Sequence, residues 1–279
     1  MTGRCALIVI CRSGARAALG PEAVAAPKGG DGIVESIRQI RVASRSTRAH
    51  LTRVSNQIRD LIVTAADPLR CELEPLTTTQ RVARCARFRP GDTADPAQAA
   101  KLALRALARQ HQALDGDLAE MREHLDKLTA AAAPQLRAAK GIGPDVASIL
   151  LIAAGDNPDR LRSEASFAAL CGASPVEASS GKTARHRLNQ GGDRQANHAL
   201  WRIAMVRLAT RERTRAYAAR RQAHGKTRRE TIRCLKRYIA REVFNLLTKP
   251  QPAPNTEDLR AQRHTTGHSL ATAAAQLNT

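Results

Sequence analysis

The sequence predicts an all-α protein, and three observations carry that prediction. Aromatic side chains make up only 2% of its 279 residues, too few for the aromatic and β-branched packing that sheets draw on. The chain is instead rich in Ala, Leu and Arg, which are good helix formers. Two long segments place an apolar residue alternately every four and three positions, the spacing of one face of a packed helix. At 43% hydrophobic content the chain can bury a core in one or two domains.

Residues 1–30 hold Gly14, Gly20, Pro21, Pro27, Gly29 and Gly30 and read as an irregular leader, with a candidate short strand at 7–10. From Ile33 a heptad seam runs through Ile37, Ile40, Ser44, Thr47, Leu51, Val54, Ile58 and Leu61. Its middle, Ser44 and Thr47, is polar, so the seam is weakest there. Asp67-Pro68 marks its end, because the residue before a proline avoids the helical region. Pro68, Pro75, Pro90 and Gly91 break the next stretch, leaving room for a short helix at 79–88. A second seam follows: Ala100, Leu104, Leu107, His111, Leu114, Leu118, Met121, Leu125 and Leu128. Two such helices joined by a compact connector can pack antiparallel as a coiled-coil arm over 31–133. Each could equally pair with a second chain. His111 reads as a tolerated seam residue rather than a ligand.

Residues 134–248 read as a second helical domain. Gly141-Ile142-Gly143-Pro144 separates two apolar helical stretches, the sequence form of a helix-hairpin-helix. There the backbone N–H groups of Gly141 and Gly143 can approach a phosphate with no Cβ in the way. A plain turn with Pro at the first position of the next helix fits the same residues. Ser163 is the expected N-cap of a short helix with Phe167, Leu170 and Cys171 inward. Residues 175–192 read as loop or extended chain. A last helical region runs from about Asp193 to Thr248, interrupted near Gly225. Residues 249–279 are polar and rich in Pro, Thr and Gln, the composition of a disordered tail.

The formal net charge is +20 and the sequence pI about 11.1, which points to a polyanionic partner such as DNA, RNA or an anionic membrane. A GC-rich genome would also raise Ala and Arg, but it does not explain why the charge clusters. Residues 180–242 hold 18 basic side chains against four acidic ones, enough to follow a phosphate backbone and release its counterions. The six cysteines include no CxxC pair, and no His completes a zinc spacing. They read as thiols of a reducing, cytoplasmic compartment, and no stretch approaches membrane-spanning length. Ser179-Ser180-Gly181-Lys182 sits at the head of the basic run. A serine beside arginines is a plausible nucleophile for phosphoryl transfer, although the tetrapeptide alone reads as a loop.

Several ordered stretches together resemble one family. They are Gly155-Asp156-Asn157-Pro158-Asp159-Arg160-Leu161, Phe167-Ala168-Ala169-Leu170-Cys171-Gly172, Ser179-Ser180-Gly181-Lys182-Thr183 and Asn189-Gln190-Gly191-Gly192-Asp193-Arg194-Gln195-Ala196-Asn197. Thr214-Arg215-Ala216-Tyr217, Arg228-Arg229-Glu230 and residues 234–242 extend the similarity, as does the helix at 27–61. The chain resembles the insertion-sequence transposases that carry a RuvC-like DEDD domain in front of a serine-bearing domain, the bridge-RNA-guided recombinases.

The resemblance implies a nucleophile that becomes linked to DNA, at Ser180 with Ser179 as the neighbouring alternative. It places Lys182, Arg185, Arg187, Arg194 and Asn197 around bound phosphates. Arg202, from the same basic run, joins Gly141 and Gly143 among the nucleic-acid-binding candidates. Implied partners are the element's ends, a target DNA, a non-coding guide RNA and further copies of the chain, as a dimer or tetramer through the coiled coil. The four metal-binding carboxylates of the RuvC-like domain have no counterpart here, since residues 1–21 contain no Asp or Glu. Magnesium is thus implied only for a missing domain, this chain holds no cofactor of its own, and it reads as a truncated copy that is not expected to exchange strands alone. A non-catalytic helix-hairpin-helix protein is the alternative, and a protein that coats RNA without specificity is a third.

Overall fold

The computed structural model describes residues 28–157, 160–179 and 186–249, and their regular structure is almost wholly helical. The arm is built from α1 (Ile33–Thr64), α2 (Asp67–Leu73), α3 (Thr78–Ala86) and α4 (Pro96–Ala132). Val34 and Ile37 at the start of α1 share a core with Leu125 near the end of α4. Val54, Ile58 and Ile62 share a second core with Leu104 and Ala108 near the start of α4. The two long helices therefore run antiparallel within one chain, with the seam residues between them.

Local chemistry sets the ends of these helices. Asp95 caps α4 by accepting the Ala97 N–H at 3.0 Å, with Pro96 at the first position, where its missing N–H costs nothing. Thr77 and Gln80 form a reciprocal capping box on α3. The expected stop at Asp67-Pro68 is also a start, because Pro68 opens α2. Leu69 and Leu73 of that helix join Val82, Cys85 and Phe88 in the core at the arm's tip. Between the two cores the arm is thin. No residue of α4 from 109 to 124 is fully buried, and Ser44 is the one buried position on the facing stretch of α1.

The body comprises α5 (Pro134–Ala138), α6 (Pro144–Ala154), α7 (Glu164–Leu170), α8 (Arg194–Thr210), α9 (Glu212–Ala223) and α10 (Arg228–Thr248). A two-residue antiparallel pair, β1 (Val176–Glu177) with β2 (His186–Arg187), lies between α7 and α8. Helix α6 is apolar on nearly every side and is buried from Val146 to Leu151. It packs against α1, α4 and α8, so it is the centre of the body. Leu235, Ile239 and Val243 of α10, four residues apart, face the same core, where Phe244 meets Phe167 at 6.4 Å between ring centroids. The last helical region is broken twice. Besides the expected break near Gly225, Arg211 adopts extended φ and ψ of −118° and 119° and separates α8 from α9. Among the described residues no helix is long and apolar enough to cross a membrane.

The arm is fastened to the body at its root. Gly32 caps α1 with no side chain of its own. Asp156, just after α6, supplies the cap instead: its Oδ1 accepts the Val34 N–H at 2.8 Å. Asn157 accepts the Gly29 N–H at 3.0 Å, and Lys28 donates to the Ile152 carbonyl at 2.8 Å. Arg41 reaches Asp145 in the first turn of α6 at 3.1 Å. Arg160 donates to the carbonyls of Ala153 and Ala154 at 3.0 and 2.9 Å, closing the C-terminus of α6 with a cation, as the helix dipole favours. The Gly155-to-Leu161 motif is thus the joint between arm and body. The candidate strand at 7–10 and the tail from residue 250 onward lie outside the described residues.

Candidate nucleic-acid interface

The motif at residues 189–197 builds the entry to α8. Asn189 accepts the Gly191 N–H at 2.9 Å and donates to Ser174 Oγ at 2.7 Å. Gly192 lies directly on the backbone of α7's end. A Cβ there would fall 2.1 Å from Gly172 N and 2.7 Å from the Ala169 carbonyl. Gly172 itself has φ +61°, a conformation glycine adopts without steric cost. Asp193 then caps α8, accepting the Gln195 and Ala196 N–H groups at 2.7 and 3.0 Å.

Asn197, one turn on, holds three elements together. Its amide donates to the carbonyls of Cys171 and Gly172 at 3.0 and 2.8 Å and accepts from Lys236 Nζ at 2.8 Å. Lys236 is only 6% exposed. Burial first, then the nearby Arg233 charge, holds its ammonium below the usual lysine value.

Lys236 also lines a cavity of about 690 Å³ between the β1–β2 pair, α9 and α10. Its walls carry Arg187, Arg220, Arg221, Lys226, Arg233, Lys236, Arg237 and Arg241 against a single carboxylate, Glu230. Tyr217 and Tyr238 meet edge to face at 5.6 Å between centroids. Burial, then the neighbouring Cys234 and Tyr238, pushes the Tyr217 hydroxyl up to about 12, so it stays a neutral donor. Glu164 of α7 stands behind the α10 arginines, 3.6 Å from Arg237 and 2.6 Å from Arg241. Even with Glu164 behind Arg237 and Arg241, the wall keeps a large excess of positive charge, which attracts an anion.

Residues 133–219 match the family model described as the transposase IS116/IS110/IS902 family. No curated protein matches the chain. The family match supports an insertion-sequence transposase, and with it a DNA-binding role. The matched segment contains α5 to α8, the β1–β2 pair and most of α9. It stops short of α10, which contributes Arg233, Lys236, Arg237, Tyr238 and Arg241 to the cavity.

A second basic site lies elsewhere on the structure, partly within the matched segment. Gly141, with φ +87°, makes the turn between α5 and α6, and Gly143 is the N-cap of α6. The groove around them is walled by Arg122, Arg137, Lys140, Arg202 and Val206 and shares no residue with the cavity. A Cβ on Gly143 would meet nothing within 4 Å, so its backbone is open to approach. Arg137 donates to the Ile142 carbonyl at 2.9 Å.

Arg207 fixes the other side of the turn. It donates to the Lys140 carbonyl at 2.9 Å and forks onto Glu242 of α10 at 2.5 and 2.9 Å. At 6% exposure it belongs to the fold, so the basic run at 180–242 is not one continuous phosphate-facing surface.

The structure therefore divides the nucleic-acid candidates. Arg187 lies in the cavity, and Asn197 stands behind it through Lys236. Gly141, Gly143 and Arg202 line the groove. Arg194 is exposed at the first turn of α8. Ser180, Lys182 and Arg185 lie outside the described residues, in the segment that joins β1 to β2 in sequence. Residues 217–241 supply most of the cavity; the sequence places them in the basic run but does not mark them individually as binding residues. Their signal was the four-residue spacing of Arg233, Arg237 and Arg241, which places them on one side of a helix. Among the described residues no three His, Cys, Asp or Glu side chains are grouped closely enough to hold a metal ion.

Proposed function

We propose that this chain is a transposase of an insertion sequence that grips DNA phosphates in the cavity between β1–β2, α9 and α10. The observation that carries the reading is the cavity wall itself, eight cations against one carboxylate. Ser180 enters as the nucleophile. It lies in sequence a few residues before His186 and Arg187 of β2, which line the cavity. Attack of its hydroxyl on a phosphodiester would link serine to one DNA end and release the other as a hydroxyl. The arginines would stabilise the charge that develops on the phosphate oxygens. Asn197 would act from behind by holding Lys236. A guide RNA is a further partner of this reading, as is a second copy of the chain along the thin middle of the arm, in the manner of a coiled coil.

A second reading has its own support in the Gly141–Gly143 groove. A backbone open at Gly143, beside Arg122, Lys140 and Arg202, suits a phosphate in the manner of a helix-hairpin-helix.

One experiment separates the readings. The chain is titrated at two salt concentrations against its element's end sequence and a scrambled control, as wild type, Arg233→Gln/Arg237→Gln and Arg202→Gln/Lys140→Gln. Loss of two phosphate contacts at the cavity should flatten the slope of log affinity against log salt by about 2. Ser180→Ala should bind as wild type and lose strand cleavage. An unchanged slope for the cavity variant, with a reduced slope for the groove variant, would move the interface to the groove. Cleavage that survives Ser180→Ala would remove the serine from the mechanism.

A further inference from the structure

The cavity is the wrong size for a duplex. At about 690 Å³ it falls among sites of roughly 300–1,000 Å³ that enclose one small ligand. The major groove of DNA alone is about 12 Å wide, so a paired helix can lie across the mouth but not enter. What can enter is a nucleotide taken out of its stack.

The wall offers such a nucleotide both kinds of contact it needs. Tyr238 lines the cavity and is 56% exposed. The Tyr217 ring packs against it at an interplanar angle of 84°, and Arg220 lies against the Tyr217 ring, 5.8 Å from its centroid. A half-exposed ring braced by a perpendicular neighbour is a stacking surface, and every base has a π-face to lay on it. Arg237 is the next residue along, and its Nη1 is buried without a hydrogen-bond partner among the described residues, as is Nε of Arg221. Buried guanidinium donors without partners are uncommon, and phosphate oxygens are the acceptors they match.

We infer that Tyr238, braced by Tyr217, stacks an unpaired base while Arg237 and its neighbours take the adjoining phosphates. The site then distinguishes an extruded or single-stranded nucleotide from a paired one. The inference rests on the reading above that this cavity takes nucleic acid, and it goes further by naming the state of the strand.

The test uses the full chain as wild type, Tyr238→Ala, Tyr238→Phe and Arg233→Gln/Arg237→Gln. The probes are a duplex with one unpaired 2-aminopurine, the same duplex fully paired, and single strands of DNA and of RNA. Tyr238→Ala should weaken binding to the unpaired and single-stranded probes roughly tenfold and leave the paired duplex unchanged. Tyr238→Phe should restore the wild-type preference. The 2-aminopurine fluorescence should be quenched by wild type and not by Tyr238→Ala. A drop with only one of the two single strands would assign the nucleotide to DNA or to RNA. If the double variant weakens every probe while Tyr238→Ala weakens none, the cavity binds nucleic acid but the stacking inference is overturned. If neither variant changes any affinity, both readings fall together.

Discussion

Arg207→Ala is expected to lower the unfolding free energy by about 2–3 kcal/mol. Removing one partner of a fully buried ion pair costs roughly 3–5 kcal/mol, because the other charge is left without compensation. Here Arg207 is 8% exposed at its side chain but Glu242 is 40% exposed, so water recovers part of the loss. The mutation also frees the Lys140 carbonyl that Arg207 Nε holds. Thermal unfolding should shift down by roughly 5–10 °C, at about 2–4 °C per kcal/mol for chains near this size. Replacing both partners with apolar residues, as Arg207→Met/Glu242→Leu, should recover most of the shift. A single variant that melts with wild type would show that the fork contributes nothing.

Gly192→Ala should be at least as damaging, about 3 kcal/mol, by a different route. The added methyl would meet backbone atoms of Gly172 and Ala169, and backbone cannot rotate aside as a side-chain end can. Overpacking of this sort usually costs roughly 1–3 kcal/mol, and a rigid neighbour puts it at the upper end. Gly191→Ala is the matched control: its nearest neighbour would be Asn189 Oδ1 at 3.5 Å, an ordinary contact, and its effect should stay within about 0.5 kcal/mol. Urea unfolding of the two variants decides the matter. Equal destabilisation would mean that the close approach at Gly192 is not what the fold depends on.

These two positions mark what could and could not be read in the sequence. The seams from Ile37 to Leu61 and from Ala100 to Leu128 were legible because a helix repeats every few residues and the pattern is local. Ser163 as an N-cap was legible for the same reason. Helix α2 was not, because Pro68 carries the same signal whether it ends one helix or begins the next. The break at Arg211 has no proline or glycine to announce it. The glycines of Gly191-Gly192 looked alike, and only the fold shows that one rests on a backbone and the other does not. The candidate site was legible as charge but not as shape. Arg207 and Arg237 are indistinguishable in a run of basic residues, yet one is buried against Glu242 and the other faces a cavity. That separation is made by contacts 35 residues apart in sequence, which no local pattern encodes.

The joint at Asp156 gives the arm mechanical leverage. Helix α4 has 37 residues, about 55 Å at 1.5 Å per residue. Its partner α1 is held at the near end by the hydrogen bonds of Lys28, Gly29 and Val34. A stiff rod pivoting there by about 10° would sweep its tip through about 10 Å. The small core of Leu69, Leu73, Val82 and Phe88 would travel as a rigid weight at the end of that swing. A small rotation at that joint would therefore be magnified at the tip of the arm.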